Sequence, residues 1–225
     1  MSEQPVVELV GVSKTYATDP PVRPLEDIEL QVEGGSVVAV MGVSGKGKST
    51  MLNIMGGLMS PDCGQVLFKG EDLAQASSER IDALHRRGIG FAFQTPYLIS
   101  AFTARENLEF AFRMSKCPDP KRQAEQALSD FGLIERADHM PYELSAGQKR
   151  RLVIARALGE GHSLLLADEP TNDLDEQWAD YVFERFAQFA SDESHAVVLV
   201  THDVRYAAKA DKVYVLDAGK LNPRD

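Results

Sequence analysis

The chain is poor in cysteine, in long apolar runs and in positive charge. Its 225 residues include only two cysteines, Cys63 and Cys117, far apart and without the spacing of metal ligands. The start MSEQPVVEL has neither the basic nor the apolar region of a signal peptide, so a reducing, cytosolic setting is expected. No apolar run approaches the ~20 residues that a bilayer span needs, so any work done in a membrane requires another chain to cross it. With 24 basic against 34 acidic residues the net charge is −10, which argues against a broad nucleic-acid surface and leaves room only for a local patch. Hydrophobic content of 44% and charged content of 26% are ordinary for a globular protein, and the length suffices for one large α/β domain or two small ones.

What is present is concentrated in Gly42 to Thr50, GVSGKGKST. Gly, four residues, Gly, Lys, Ser is the spacing of a phosphate-binding loop when a strand precedes it and a helix follows. Ser36 to Met41 is a short β-branched run suited to a buried strand, and Met51, Leu52, Ile54, Met55 and Leu58 fall on one helical face before Gly56 and Gly57 weaken it. Glycines at 42, 45 and 47 let successive N–H groups turn inward, and the helix N-terminus adds its dipole at the same place. Within this loop, which also carries Ser44, Lys46 and Thr50, Lys48 is placed to reach terminal phosphates and the Ser49 hydroxyl to hold Mg²⁺. A dinucleotide fingerprint is disfavoured, because Thr50 stands where a third glycine is needed after Gly45 and Gly47.

Along the rest of the chain, Val6 to Val12 reads as a strand, Lys14 to Pro24 as a proline-rich loop, and Leu25 to Val32 as a half-buried strand, so the opening is antiparallel β. Gln65 to Phe68 and Ile89 to Phe93 are further strands, the latter delivering Gln94, with a helix over Ser77 to Arg87 between them. Residues 95 to 160 differ in texture, with helical patterns at Thr103 to Met114 and Lys121 to Phe131, and read as a helical subdomain inserted in a single domain spanning 1–225. Then come a strand at Ser163 to Ala167, an amphipathic helix with Trp178, Tyr181, Val182, Phe186 and Phe189, a strand at Ala196 to Val200, and a last strand at Lys212 to Asp217. Alternating strands and helices imply a mostly parallel sheet.

The Ser163 strand ends in Asp168 and Glu169. An acidic pair there suits a phosphate loop, Asp168 binding Mg²⁺ and Glu169 polarising an attacking water. Taken alone the pair reads as a turn; the loop upstream changes that reading.

With GVSGKGKST, LLLADEP and LSAGQ at Leu144 to Gln148, followed by KRRLVIARAL, the chain resembles the ATP-binding cassette (ABC) ATPases over essentially its whole length. LSAGQ is similar to the family's signature LSGGQ. Gln94 matches the glutamine that links the metal site, as a ligand, to the helical subdomain; Asn172 to Asp175 match the loop after the catalytic glutamate; His202 matches the switch histidine, and Tyr16 the aromatic that stacks on adenine. Each alone has a plainer reading: Tyr16 as a strand-end tyrosine, Gln94 as a loop residue, His202 as a helix-start histidine. His85, His139, His162 and His195 have no family counterpart and read as structural.

The resemblance implies a P-loop NTPase (RecA-like) α/β core with an N-terminal antiparallel subdomain and the helical insertion, an ATPase using ATP and Mg²⁺, and a dimer, with itself or a homologue. Ser145, a good N-cap, opens a helix from Ala146 to Leu158 whose N-terminus, with Gly147 and Gln148, offers a second anion site. In the family the signature of one cassette caps the γ-phosphate bound by the other. Glu169, His202 and Lys48 would carry hydrolysis.

Among family members the chain looks most like the bacterial lipoprotein-release, macrolide-export and cell-division group, which implies an integral membrane permease partner, a position on the inner face of the cell membrane and no nucleic acid. That partner is expected to dock near Pro96 to Phe112, through Tyr97, Phe102, Phe110 and Phe112. Alternatives are a family ATPase acting on ribosomes or DNA, or a nucleotide-dependent regulator that does not hydrolyse, left open by Ala146 in place of a signature glycine. Lys149, Arg150 and Arg151 read as a solvated helix face with some ion pairing.

Overall fold

A computed structural model describes residues 4–43, 45–159 and 161–224. Two sheets build it. The first is antiparallel, in the order β2-β1-β4-β5, from β1 (Val7–Tyr16), β2 (Val22–Val32), β4 (Cys63–Phe68) and the short β5 (Glu71–Asp72). The second has six strands, in the order β10-β9-β3-β8-β7-β6, from β3 (Ser36–Met41), β6 (Ile89–Ala92), β7 (Leu164–Asp168), β8 (Ala196–Val200), β9 (Lys212–Asp217) and β10 (Lys220–Pro223). All its pairings are parallel except β10 with β9.

Strands β3, β7 and β8 are buried along their whole length, which is why they read as continuous apolar runs. Their alternate residues divide two cores. Val37, Ala39, Leu165, Ala167, Val197 and Leu199 join the helical side; Val38, Val40, Leu164, Leu166, Val198 and Val200 join the side facing the antiparallel sheet. Register then fixes the site. Val40 pairs with Val200 and Val200 with Asp168, so the residues that follow β3, β7 and β8 emerge side by side at the carboxyl end of the sheet, where open α/β sheets hold ligands.

The helices are α1 (Lys48–Met55), α2 (Ser78–Arg86), α3 (Ala104–Met114), α4 (Pro120–Asp130), α5 (Ala146–Ala157), α6 (Glu176–Ala190) and the single turn α7 (Val204–Ala207). Side-chain caps start most of them: Ser77, Thr103, Asp119, Ser145, Asp175 and Asp203 each accept a backbone N–H from the first turn. Such a cap contributes about 1 kcal/mol.

Four local expectations change. Most of Lys14 to Pro24 is strand: the ladder continues through Lys14 with Leu25 and Tyr16 with Val22, its register shifting at irregularities that mask the alternation. Leu58 lies beyond α1 and is 47% exposed, because Gly57 at φ 70° turns the chain first. The buried face of α6 is Ala179, Val182, Phe183, Phe186 and Ala190; Trp178 is left at its side, edge-on to Tyr181 and covered by the Arg151 guanidinium 4.0 Å from its ring. Finally, β9 is not the last strand: β10 follows it, a four-residue edge strand whose Lys-Leu-Asn-Pro sequence carries little alternation.

Candidate active site

The phosphate-loop sequence joins β3 to α1, as its pattern requires. Gly45 and Gly47 have φ of 75° and 103°, and a Cβ at Gly47 would lie 2.6 Å from the Pro24 carbonyl oxygen. Only glycine fits there. Gly47 caps α1 without a side-chain bond, leaving the first N–H groups of the helix to face the loop. Lys48 is buried, its Nζ donating to the carbonyls of Gly42 (2.8 Å) and Val43 (3.2 Å). The Lys46 backbone N–H closes a turn onto the Val43 carbonyl, while its side chain is exposed; Ser44 lies outside the described residues.

Ser49 Oγ donates to Asp168 Oδ2 at 2.6 Å, joining the start of α1 to the end of β7. Asp168 is buried, and that burial pushes its carboxyl above the usual range, with the adjacent Glu169 charge acting in the same direction; the Ser49 hydroxyl and the charges of Lys48 and Arg150 oppose it. Glu169 sits at φ 48°, a left-handed conformation that is strained for a glutamate. Its N–H donates to the Val200 carbonyl, and its Oε2 lies 2.9 Å from His202 Nδ1 and accepts the His202 backbone N–H at 3.3 Å. A cleft of about 310 Å³ is lined by Gly45, Gly47, Lys48, Ser49, Thr50, Gln94, Asp168 and Glu169. His202 borders it through Glu169. Tyr16 bonds Thr50 Oγ1 at 3.1 Å but does not line that cleft.

The residue set fits a Mg²⁺-nucleotide. Among the described residues no cluster of three or more His, Cys, Asp or Glu side chains could cage a metal, yet one buried carboxylate bonded to one hydroxyl beside the uncapped start of α1 matches the way Mg²⁺ is held, by one or two protein oxygens plus the phosphates. The buried charge of Asp168 predicts a stability cost without metal. In chelator near neutral pH, Asp168→Asn should raise the thermal midpoint by about 2–4 °C, the change ~1 kcal/mol makes at this size. The sign follows from a folded pKa above the unfolded one: the wild type is least burdened while Asp168 is protonated and loses stability as pH rises through the folded pKa. Differential scanning fluorimetry of both proteins from pH 4 upward checks it; a gap that does not widen with pH removes the claim.

The signature segment lies elsewhere. Ser145 and Gln148 form a reciprocal capping box: Ser145 Oγ accepts the Gln148 N–H at 3.2 Å and Gln148 Oε1 accepts the Ser145 N–H at 2.8 Å. Ala146 is exposed at the start of α5. At Gly147 a Cβ would come within 2.7 Å of the Asp173 carbonyl oxygen. Asp175 caps α6 by accepting the Trp178 N–H. None of Ser145, Gly147, Gln148 and Asp175 lines the cleft.

Two readings of side chains need correction. Arg150 is not on a solvated face: it is 2% exposed and bonded to the carbonyls of Phe93 and Gln94. Its place on the stripe with Val153, Ile154 and Ala157, three, four and seven residues on, was the signal for burial. Arg151 likewise donates to the Phe131 carbonyl and covers Trp178. And of the four aromatics proposed for contact, Phe112 is core at 3% exposure, while Tyr97 and Phe110 are 63% and 43% exposed and Phe102 packs against Phe110.

The family model described as ABC transporter matches residues 25–172. The chain is 38% identical to the lipoprotein-releasing system ATP-binding protein LolD 2 of Chlorobium chlorochromatii, over 93% of this chain and 90% of that protein. It is also 38% identical to the macrolide export ATP-binding/permease protein MacB of Wolinella succinogenes, over 99% of this chain but only 35% of that protein. The chain thus spans about a third of the length of the MacB relative and most of the LolD relative. Among solved structures, a dimeric post-hydrolysis state of the ATP-binding cassette MJ0796 bound to ADP and Pi superposes with a TM-score of 0.91 at 32% identity, covering 97% of this chain and 98% of that one. Fold, residue pattern and relatives agree: the chain belongs to the ABC transporter family, as an ATP-binding cassette.

Proposed function

We propose that the chain hydrolyses ATP at the cleft beside Lys48, pairs with a second cassette around two ATP molecules, and drives a separate membrane-spanning partner from the inner face of the membrane. The carrying observation is the convergence, at one end of the sheet, of the Lys48 loop, the Ser49–Asp168 pair and the Glu169–His202 pair. In this reading Gly42 to Thr50 and Lys48 bind the phosphates and Tyr16 the base. Ser49, Asp168 and Gln94 would hold Mg²⁺, which supplies charge neutralisation to the phosphates. Glu169 takes the proton of the attacking water, and His202, bonded to the same carboxylate oxygen, holds Glu169 in place.

Ser145, Gly147 and Gln148 then belong to the partner cassette's site, together with Asp175 at the contact. Their position outside this chain's own cleft supports that assignment, as does the dimeric MJ0796 cassette. The capping box leaves the helix start rigid and exposed, ready for an anion brought by another chain. Residues 95–160 form the helical subdomain in this reading. Among the described residues no helix is long and apolar enough to cross a membrane, and the LolD and MacB relatives are named for a releasing system and an export permease. Export or lipoprotein-directed work is accordingly the proposed task.

The docking surface is the exposed pair Tyr97 and Phe110 with Phe102 beside it; Phe110 also lines a groove of about 270 Å³ walled by α2, β6, α3 and α5. Affinity purification of the tagged wild type from detergent-solubilised membranes of its own cells should bring down a membrane-spanning protein. Tyr97→Ser combined with Phe110→Ser should lose it at unchanged thermal midpoint. Undiminished copurification removes this surface from the proposal.

A further inference from the structure

Arg150 is a buried cation with no role in the chemistry so far. Its guanidinium reaches two segments distant in sequence from α5 and from each other. One Nη donates to the Phe93 carbonyl at 2.7 Å; the other donates to the Gln94 carbonyl at 2.5 Å and lies 3.8 Å from Asp173 Oδ2. Its Nε has no partner among the described residues. Burying an arginine costs several kcal/mol unless carbonyls and charges compensate it, and a Leu or Met would fill this stripe of α5 more cheaply. Here the compensation comes from the two carbonyls that flank the start of the Gln94 loop and from the acidic field of Asp173, Asp168 and Glu169.

The same turn of α5 touches Asp173 a second time. Gly147 lies so close to the Asp173 carbonyl that a Cβ would sit 2.7 Å from its oxygen, and Asp173 itself is held at φ 66°. The end of β6, the start of α5 and the loop after Glu169 therefore meet on one side chain and one close backbone contact.

We propose that Arg150 is a positioning residue of the ATPase, holding the Gln94 loop, the Ser145–Gly147 helix start and the Asp173 loop in a single register. It rests on the roles assigned above to Gln94, Glu169 and Ser145. Through Arg150, the segment that meets the metal and nucleotide on this chain and the segment offered to the partner's nucleotide move together. The planar fork matters: an ammonium can supply the charge toward Asp173 but cannot place two donors on two successive carbonyls.

The test uses the full chain as wild type, Arg150→Met and Arg150→Lys, each also combined with Glu169→Gln. Thermal midpoint, binding of a fluorescent ATP analogue to dilute protein, kcat, KM and ATP-dependent dimerisation by size are measured together. Arg150→Met should fold and bind the analogue within about threefold of wild type, while kcat falls about 10²-fold, the effect of a small displacement of reacting groups. In the Glu169→Gln background it should need at least about tenfold more protein to dimerise, with Arg150→Lys between. A folded Arg150→Met with wild-type kcat and dimerisation overturns the proposal, as does a loss of kcat matched by loss of analogue binding. If Arg150→Met does not fold, Asp173→Asn decides, since that side chain is 53% exposed: lower kcat and weaker dimerisation support the coupling, and wild-type values overturn it. Glu169→Gln alone separates the layers. If it turns over ATP like wild type, the site assignment fails; if it is inactive while Arg150→Met is normal, only the role of Arg150 fails.

Discussion

Glu169→Gln should slow ATP turnover by about 10²–10⁴-fold, the range a positioned general base contributes, and should leave an ATP-bound dimer stable enough to isolate. The amide keeps the size of the side chain and can still accept the His202 N–H, so the left-handed backbone at φ 48° has no new reason to relax. What it loses is the capacity to take a proton. ATP that is bound but not cleaved continues to join two cassettes, and a ligand that binds only the associated state stabilises it by mass action. Release of phosphate under saturating ATP and Mg²⁺, with size-exclusion chromatography of the same samples, checks both halves. Turnover equal to wild type would remove Glu169 from its role; an inactive variant that stays monomeric would remove the interfacial ATP.

Lys48→Met should weaken ATP binding by about 10²-fold or more, because each lost charge-assisted bond to a phosphate is worth roughly 1.5–3 kcal/mol and 1.4 kcal/mol is a factor of ten. The fold should survive. Lys48 is buried, so methionine retains the apolar contacts of the stem, and Gly42 and Val43, whose carbonyls lose the ammonium, are half-buried and exposed, within reach of water. The loss should appear in nucleotide affinity before it appears in kcat, the reverse of Glu169→Gln. Titration with a fluorescent ATP analogue distinguishes them; unchanged affinity would mean that the loop does not hold phosphate through Lys48.

Much of the site was legible in the sequence because it is made at strand ends. SVVAVM, SLLLA and AVVLV each announce a buried strand by composition, and the polar residues that follow each one must then surface at the same end of a parallel sheet. Lys48, Asp168, Glu169 and His202 were placed in this way without any distance in hand. Arg150 was missed because charge was weighed above periodicity in KRR; a cation on an apolar stripe is visible as a pattern, but its partners, the carbonyls of Phe93 and Gln94, carry no side-chain signature. The extension of β1 to Tyr16 and the start of β2 at Val22 were hidden by register shifts, where pairing rather than alternation makes the strand. Phe110 and Phe112 are two residues apart on α3 and so point to opposite sides: Phe112 continues the Ala104 and Leu108 stripe into the core, and Phe110 is left exposed.

The alignment of Val40, Val200 and Asp168 across three neighbouring strands also divides the molecule into a fixed end and a permissive one. An insertion of one residue within β7 or β8 reverses every side chain beyond it between the two cores and at the same stroke withdraws Asp168 from Ser49 or His202 from Glu169. Extra residues in the exposed turn from Ser191 to Glu193, which enters β8 from the opposite end, leave both ladders in phase. Length variation is therefore expected at that end of the sheet rather than at the nucleotide end, and before Glu193, whose carbonyl packs against Gly34.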